Sequence, residues 1–102
     1  METQKETQKR NIKICGSGEK FDLNSAIELG TNWDNNTTRW SVLLKTAGGK
    51  YIEARKSRWQ GEINRYLLLN LQEAITLSIK LGIPSEEFEK EFGKEITEKD
   101  LI

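Results

Sequence analysis

RWSVLLKTAGGKYIEARKSRW, running from Arg39 to Trp59, decides the fold. Two segments with alternating side chains flank Ala47-Gly48-Gly49, the composition of a β-hairpin turn, and what must be settled is the register. A two-residue Gly48-Gly49 loop would set Leu44 opposite Glu53 and Lys45 opposite Ile52, mixing polar and apolar residues on both faces. A three-residue loop, Ala47-Gly48-Gly49, sets Leu44 opposite Ile52 and Val42 opposite Ala54. That register separates the faces, and Gly49 supplies the left-handed residue of the bulged turn. One face then carries Trp40, Val42, Leu44, Ile52 and Ala54 and belongs to the core. The other carries Arg39, Ser41, Leu43, Lys45, Tyr51, Glu53 and Arg55, and is read as wet, basic and uncovered.

Downstream, Asn64 to Leu69 reads as a further strand beside the hairpin. LQEAITLSIKLG then places Leu71, Ile75 and Ile79, with Ala74 and Ser78 between them, on one helical stripe expected to cover the apolar sheet face. Gly82 ends that helix. SEEFEKEFG makes a second one, with Ser85 as its cap, acids in its first turn and Phe88 and Phe92 one turn apart. Upstream, NIKICGSGEKFDL is a hairpin of two short strands around a glycine-rich turn. The turn lacks the third glycine, the Lys-Ser/Thr ending and the long helix of a phosphate loop. Asn24 to Gly30 is expected to form a helical turn or two, and TNWDNNTTR a polar loop displaying Trp33.

The expectation is therefore an α+β domain over residues 11–93, a small antiparallel sheet of four to five strands with C-terminal helices on one face. Residues 1–10, with ETQK twice, read as a disordered arm, and residues 94–102 as a charged tail. A chain of 102 residues holds one such core and not two.

Composition excludes several chemistries. There is no histidine, which removes the usual neutral-pH base, every Ser-His-Asp or Cys-His pairing and any imidazole-bound zinc. The single cysteine, Cys15, forms no internal disulfide, reads as a buried thiol and fits a reducing cytosol. No apolar run approaches a membrane span and no signal peptide is recognisable, so a bacterial cytosolic location is expected. No cofactor, metal site or catalytic constellation is indicated. Formal net charge is zero, but it is unevenly spread. Arg39 to Arg65 carries seven bases against two acids, while Glu73 to the C-terminus carries eight acids against four bases. A molecule polarised in this way can pair with its own copy or meet a partner of either sign.

SRWQGE, Ser57 to Glu62, is the most suggestive surface feature. Two readings of Trp59 stay open here. It can fold over the sheet edge and plug the core while Gly61 turns the chain, or it can form an aromatic platform edged by Arg55, Arg58 and Gln60 for a base, a nucleotide or a partner's side chain. The candidate partner-binding residues are Arg39, Lys45, Tyr51, Glu53, Arg55, Arg58, Trp59, Gln60 and Glu62.

From Thr46 to Gly93 the chain resembles a loose group of small bacterial proteins found in Firmicutes genomes, phages and mobile elements. Thr46, Gly49 and Tyr51 match that group's hairpin, Trp59, Gly61 and Glu62 its Trp-x-Gly-Glu corner, and Glu73-Ala74 its helix start. Ile12 to Asp22 stands in loosely for its opening, with Phe21-Asp22 where the group shows Tyr-Asp, and Ile52 to Lys56 is more basic than its usual strand. The resemblance implies an α+β fold and a mobile-element setting, and brings no enzymatic motif. It points to a non-enzymatic accessory that blocks a bacterial defence effector or its nucleic-acid complex, in the manner of an anti-CRISPR inhibitor, with a homodimer also in view. The alternative is direct nucleic-acid or nucleotide binding, Tyr51 and Trp59 stacking on bases while Arg39, Lys45, Arg55 and Arg58 meet phosphates.

Overall fold

Val42-Leu43-Leu44 and Leu67-Leu68-Leu69 are unbroken apolar runs, and in a strand such a run sends apolar side chains to both faces. The computed structural model shows both faces covered. It describes residues 10–59 and 61–93; nearly all of the expected arm, the expected tail from residue 94 and Gln60 of the corner lie outside the described residues. The fold is α+β, with six strands among the described residues: β1 (Ile12–Ile14), β2 (Lys20–Asp22), β3 (Ile27–Thr31), β4 (Arg39–Lys45), β5 (Tyr51–Ser57) and β6 (Arg65–Leu69). Helices α1 (Leu71–Leu81) and α2 (Ser85–Phe92) follow. β3 to β6 form an antiparallel meander in chain order, and β1 and β2 pair separately.

The three-residue turn holds. Leu44 pairs with Ile52 and Val42 with Ala54. Thr46 N donates to Lys50 O at 2.8 Å, and Gly49 takes φ +84°.

The assignment of the helices to the apolar face is corrected. The face of Val42, Leu44, Ile52 and Ala54 is closed by the N-terminal hairpin, which contributes Cys15 and Phe21, together with Tyr66. Phe21 meets Tyr66 edge-on at 5.4 Å between ring centres. The partly buried Trp40 packs against this cluster, as expected of a core indole. Cys15 is buried, and burial followed by the charge of Glu19 raises its pKa. In β1 the apolar residues point outward: Ile12 and Ile14 are exposed, because Lys13, not they, lies opposite Phe21.

The helices sit on the opposite face, the one expected to be open. There Leu43, fully buried, packs in one cluster with Ala74, Leu77 and Phe92, and Tyr51, Leu69, Leu71 and Phe88 border it. Burying a side chain such as Leu43 or Phe92 is worth about 1.5–3 kcal/mol each, so this face attracts a lid despite its polar neighbours. The helix stripe turns accordingly. Ala74, Leu77 and Ser78 are buried, whereas Ile79 is exposed. Asn70 and Glu73 close a reciprocal capping box on α1, and Gly82 ends it in the left-handed conformation.

Two local expectations also change. Asn24 to Gly30 is not a helix: a single 3-10 turn, Leu23–Ser25, is capped by Asp22, and the chain then enters β3. A strand is favoured because Ile27 to Thr31 completes the meander, with a bulge between Glu28 and Gly30. At α2 the N-cap is Pro84, with no side-chain cap bond, and Ser85 is the first helical residue. The Pro84 carbonyl accepts from Phe88 N at 2.9 Å.

Candidate binding cleft at the open end of the sheet

The helices cover only part of their face. Register places Lys45 beside Tyr51 at the hairpin-turn end, and Arg39 beside Ser57 at the other. Six residue steps along a strand separate these ends by about 20 Å. The sequence-derived site is thereby divided.

Lys45 and Tyr51, expected as partner contacts, belong to the lidded end, where with Glu91 they line a separate cleft of about 460 Å³. Glu91 of α2 lies above them, its Oε2 accepting from the Tyr51 hydroxyl at 2.6 Å and pairing with Lys45 Nζ at 2.6 Å. Burial opposes ionisation of Glu91, but the hydrogen bonds from Lys45 and Tyr51 outweigh it and hold the carboxyl below its ordinary range. Tyr51 also packs on Phe92, ring centres 5.4 Å apart. These groups fasten the lid.

Beyond the lid lies a cleft of about 560 Å³. Arg39 and Ser41 of β4, Arg55, Lys56 and Ser57 of β5, and Arg65 of β6 line it, with Asn32 on one side and Gly61, Glu62 and Ile63 on the other. Three guanidinium groups, those of Arg39, Arg55 and Arg65, thus accompany one carboxylate, Glu62, in the cleft, while Lys56, paired with Trp40, belongs by strand alternation to the opposite face. Asn32 extends the β3–β4 pairing, accepting from Ser41 N at 2.9 Å through its side chain. Glu53, almost enclosed, accepts from Ser41 Oγ at 2.8 Å and pairs with Arg55 Nε at 3.3 Å. Expected as a partner contact, it is instead seen holding Ser41 and Arg55 of the cleft.

Ser57, Gly61 and Glu62 of the corner line one side of the cleft. Trp59 N donates to Ser57 Oγ at 2.9 Å, Glu62 N donates to Trp59 O at 3.2 Å, and Gly61 takes φ +91°, a turn geometry that favours glycine. The turn swings Glu62 back over β4, where its carboxylate meets the Arg39 fork, Nη2 at 2.6 Å and Nε at 3.4 Å. The Arg39 hydrogen bond, then that of Ser57, lowers the Glu62 pKa, and the same contact raises that of Arg39. Trp59 does not plug the core: it is 54% exposed. Of the edges expected for an aromatic platform, Arg58 lies over Trp33 instead, and Gln60 lies outside the described residues.

Arg58 points elsewhere. Its guanidinium donates to the carbonyls of Asp34 and Asn35, at 3.1 and 3.2 Å, and lies over the Trp33 ring, 5.6 Å from its centre. Arg58 N donates to Thr38 O at 2.8 Å. It clamps the 32–38 loop that carries the exposed Trp33. Sequence reasoning missed this link, as well as Asn32, Lys56, Ile63 and Arg65. The register of β6 could have supplied Arg65, which lies opposite Arg55.

Comparison with protein-family models, with curated proteins and with solved structures gives no match. Function has to be argued from the cleft. Guanidinium groups remain charged at all ordinary pH and offer donors only, so the cleft suits anion recognition. Among the described residues no group of three or more histidine, cysteine or acidic side chains is arranged to hold a metal, and no helix is long and apolar enough to cross a membrane.

Proposed function

We propose that this chain is a non-enzymatic binding protein that docks on a protein partner through the open end of its sheet. Its setting would be that of a mobile-element accessory blocking a bacterial defence effector, as the resemblance of the Thr46–Gly93 region suggests. The observation that carries the binding reading is the rim of the cleft. Ile63, which lines the cleft, is 83% exposed, and Trp59, hydrogen-bonded through its backbone to the lining residues Ser57 and Glu62, and Trp33, next in sequence to the lining residue Asn32, are 54% and 45% exposed. Indole and guanidinium side chains dominate protein-interface hot spots. An isoleucine left in water gains from burial against a protein and offers no stacking face to a base.

The test is the plating efficiency of a phage on a bacterial strain whose CRISPR effector targets it, with the chain expressed or withheld. Restored plating, lost in a folded Trp59→Ala variant, is expected. Plating unaffected by the chain over a panel of effector types would remove the defence-inhibitor reading.

A second reading, nucleic-acid binding, draws on the three arginines of the floor. It calls for affinity that falls steeply with salt, with a slope corresponding to several released counterions.

A further inference from the structure

Arg55 and Arg65 are directly opposed on β5 and β6, both exposed on the cleft floor. Like charges in direct cross-strand register destabilise a sheet, and the ion pair to Glu53 engages Arg55 through Nε at 3.3 Å. An anion bridging the two guanidinium groups would relieve that repulsion. Across the same cleft, the chain already shows how a carboxylate is received: Glu62 sits on the fork of Arg39. Both partners of that pair are substantially exposed, at 66% and 38% of their side chains. Such a pair is weak enough to be exchanged for another carboxylate.

We infer that the cleft receives an acidic protein segment, with one of its carboxylates bridging Arg55 and Arg65 and another competing with Glu62 for Arg39. The inference rests on the protein-binding reading above and adds the chemistry of the partner. An acidic segment is favoured over a nucleic-acid strand by the rim, where Ile63 stands beside the arginines, and by the carboxylate already seated among them. Glu62 is an internal competitor in this arrangement. It keeps Arg39 oriented in the free protein and lowers affinity for the ligand by the strength of the pair it must give up.

The experiment uses the full chain and a blocked eight-residue peptide with alternating glutamates, labelled for fluorescence anisotropy at low salt. A glutamine version of the peptide and an oligothymidylate serve as comparisons. The acidic peptide is expected to bind and the glutamine peptide not to. Glu62→Gln should tighten binding roughly three- to fivefold, the size of one surface ion pair. Arg65→Gln should weaken it roughly five- to tenfold, two charge-assisted hydrogen bonds being lost. Thermal melts check that both variants fold. Equal binding of the two peptides, or no tightening in Glu62→Gln, overturns the inference. So does displacement of the acidic peptide by oligothymidylate, which would assign the cleft to nucleic acid. Self-association that excludes the peptide would assign it to a second copy and overturns it too. The plating assay separates the two levels. Loss of the peptide result with Trp59-dependent plating intact removes the acidic segment alone, and absence of any plating effect removes the defence-inhibitor reading whatever the peptide does.

Discussion

The Tyr51 hydroxyl donates to Glu91 Oε2 at 2.6 Å, joining the first residue of β5 to the last helix across forty positions of sequence. Lys45 pairs with the same oxygen at 2.6 Å. Removing the hydroxyl leaves a largely enclosed carboxylate with one fewer donor. Tyr51→Phe should therefore cost about 1.5–2 kcal/mol, within the range for hydrogen bonds to charged groups. Urea unfolding should show a lower midpoint with an unchanged slope; an unchanged midpoint would mean that the tie does not hold the lid.

The same carboxylate gives stability a pH dependence. Its pKa is lowered in the folded protein, whereas an unfolded glutamate titrates near about 4.3. Its contribution is complete above that ordinary value and disappears as pH falls through the lower, folded one. Between neutrality and pH 3, Glu91→Gln should lose less stability than the wild type. Parallel pH profiles would count against the assignment.

Leu43 distinguishes a lidded face from an open one. It is fully buried between the sheet and the helices, so Leu43→Ala should cost about 2–5 kcal/mol. Leu43→Lys should abolish cooperative unfolding, since a charge would enter the second core without a partner. A stable, monomeric lysine variant would show that the helices do not cover this face.

Gly30 of β3 lies tight against Ile83, the residue after the Gly82 cap of α1. A Cβ built there would lie 2.6 Å from Ile83 Cγ1 and 2.9 Å from its Cδ1. Gly30→Ala should destabilise by about 1–3 kcal/mol through overpacking. Adding Ile83→Ala should cost less in that background than alone, and a double-mutant cycle on thermal or urea data reads the coupling.

Arg58 and Trp33 should likewise behave as one unit. Arg58→Ala releases two carbonyls and the ring contact on the surface, so its cost in stability should be no more than about 1 kcal/mol. Hydrogen exchange at Asn36 and Thr37, whose amides donate to Asp34, should quicken markedly. If protection is unchanged, Arg58 is not the clamp of this loop.

The hairpin was the most legible part of the sequence, because turn chemistry and face separation act over ten residues and agree on a single register. The corner was legible for a similar reason, Gly61 being required by the turn. What misled was the face of Lys45, Tyr51 and Glu53. Their polar atoms look solvated in sequence, yet each finds an internal partner, and the partner of two of them, Glu91, lies on a helix whose docking no local pattern reports. The apolar runs Val42–Leu44 and Leu67–Leu69 carried the contrary message of two covered faces. The strand of Ile27 to Thr31 was hidden because its pairing with β4 is tertiary and its own residues, Glu28 and Gly30 among them, are poor strand formers. The division of the site followed from placing Lys45 and Tyr51 with Arg39 and Arg55 on one face without regard to distance along it.

The meander sets every central strand beside its neighbour in sequence, which has a kinetic consequence. Closing such short loops is entropically cheap, so assembly should nucleate around Val42 and Ile52, while remote attachments such as Gly16 to the Tyr66 carbonyl and the seating of Phe92 arrive after the rate-limiting barrier. Truncations at Val42 would then slow refolding, whereas those at Phe21 or Phe92 would chiefly hasten unfolding.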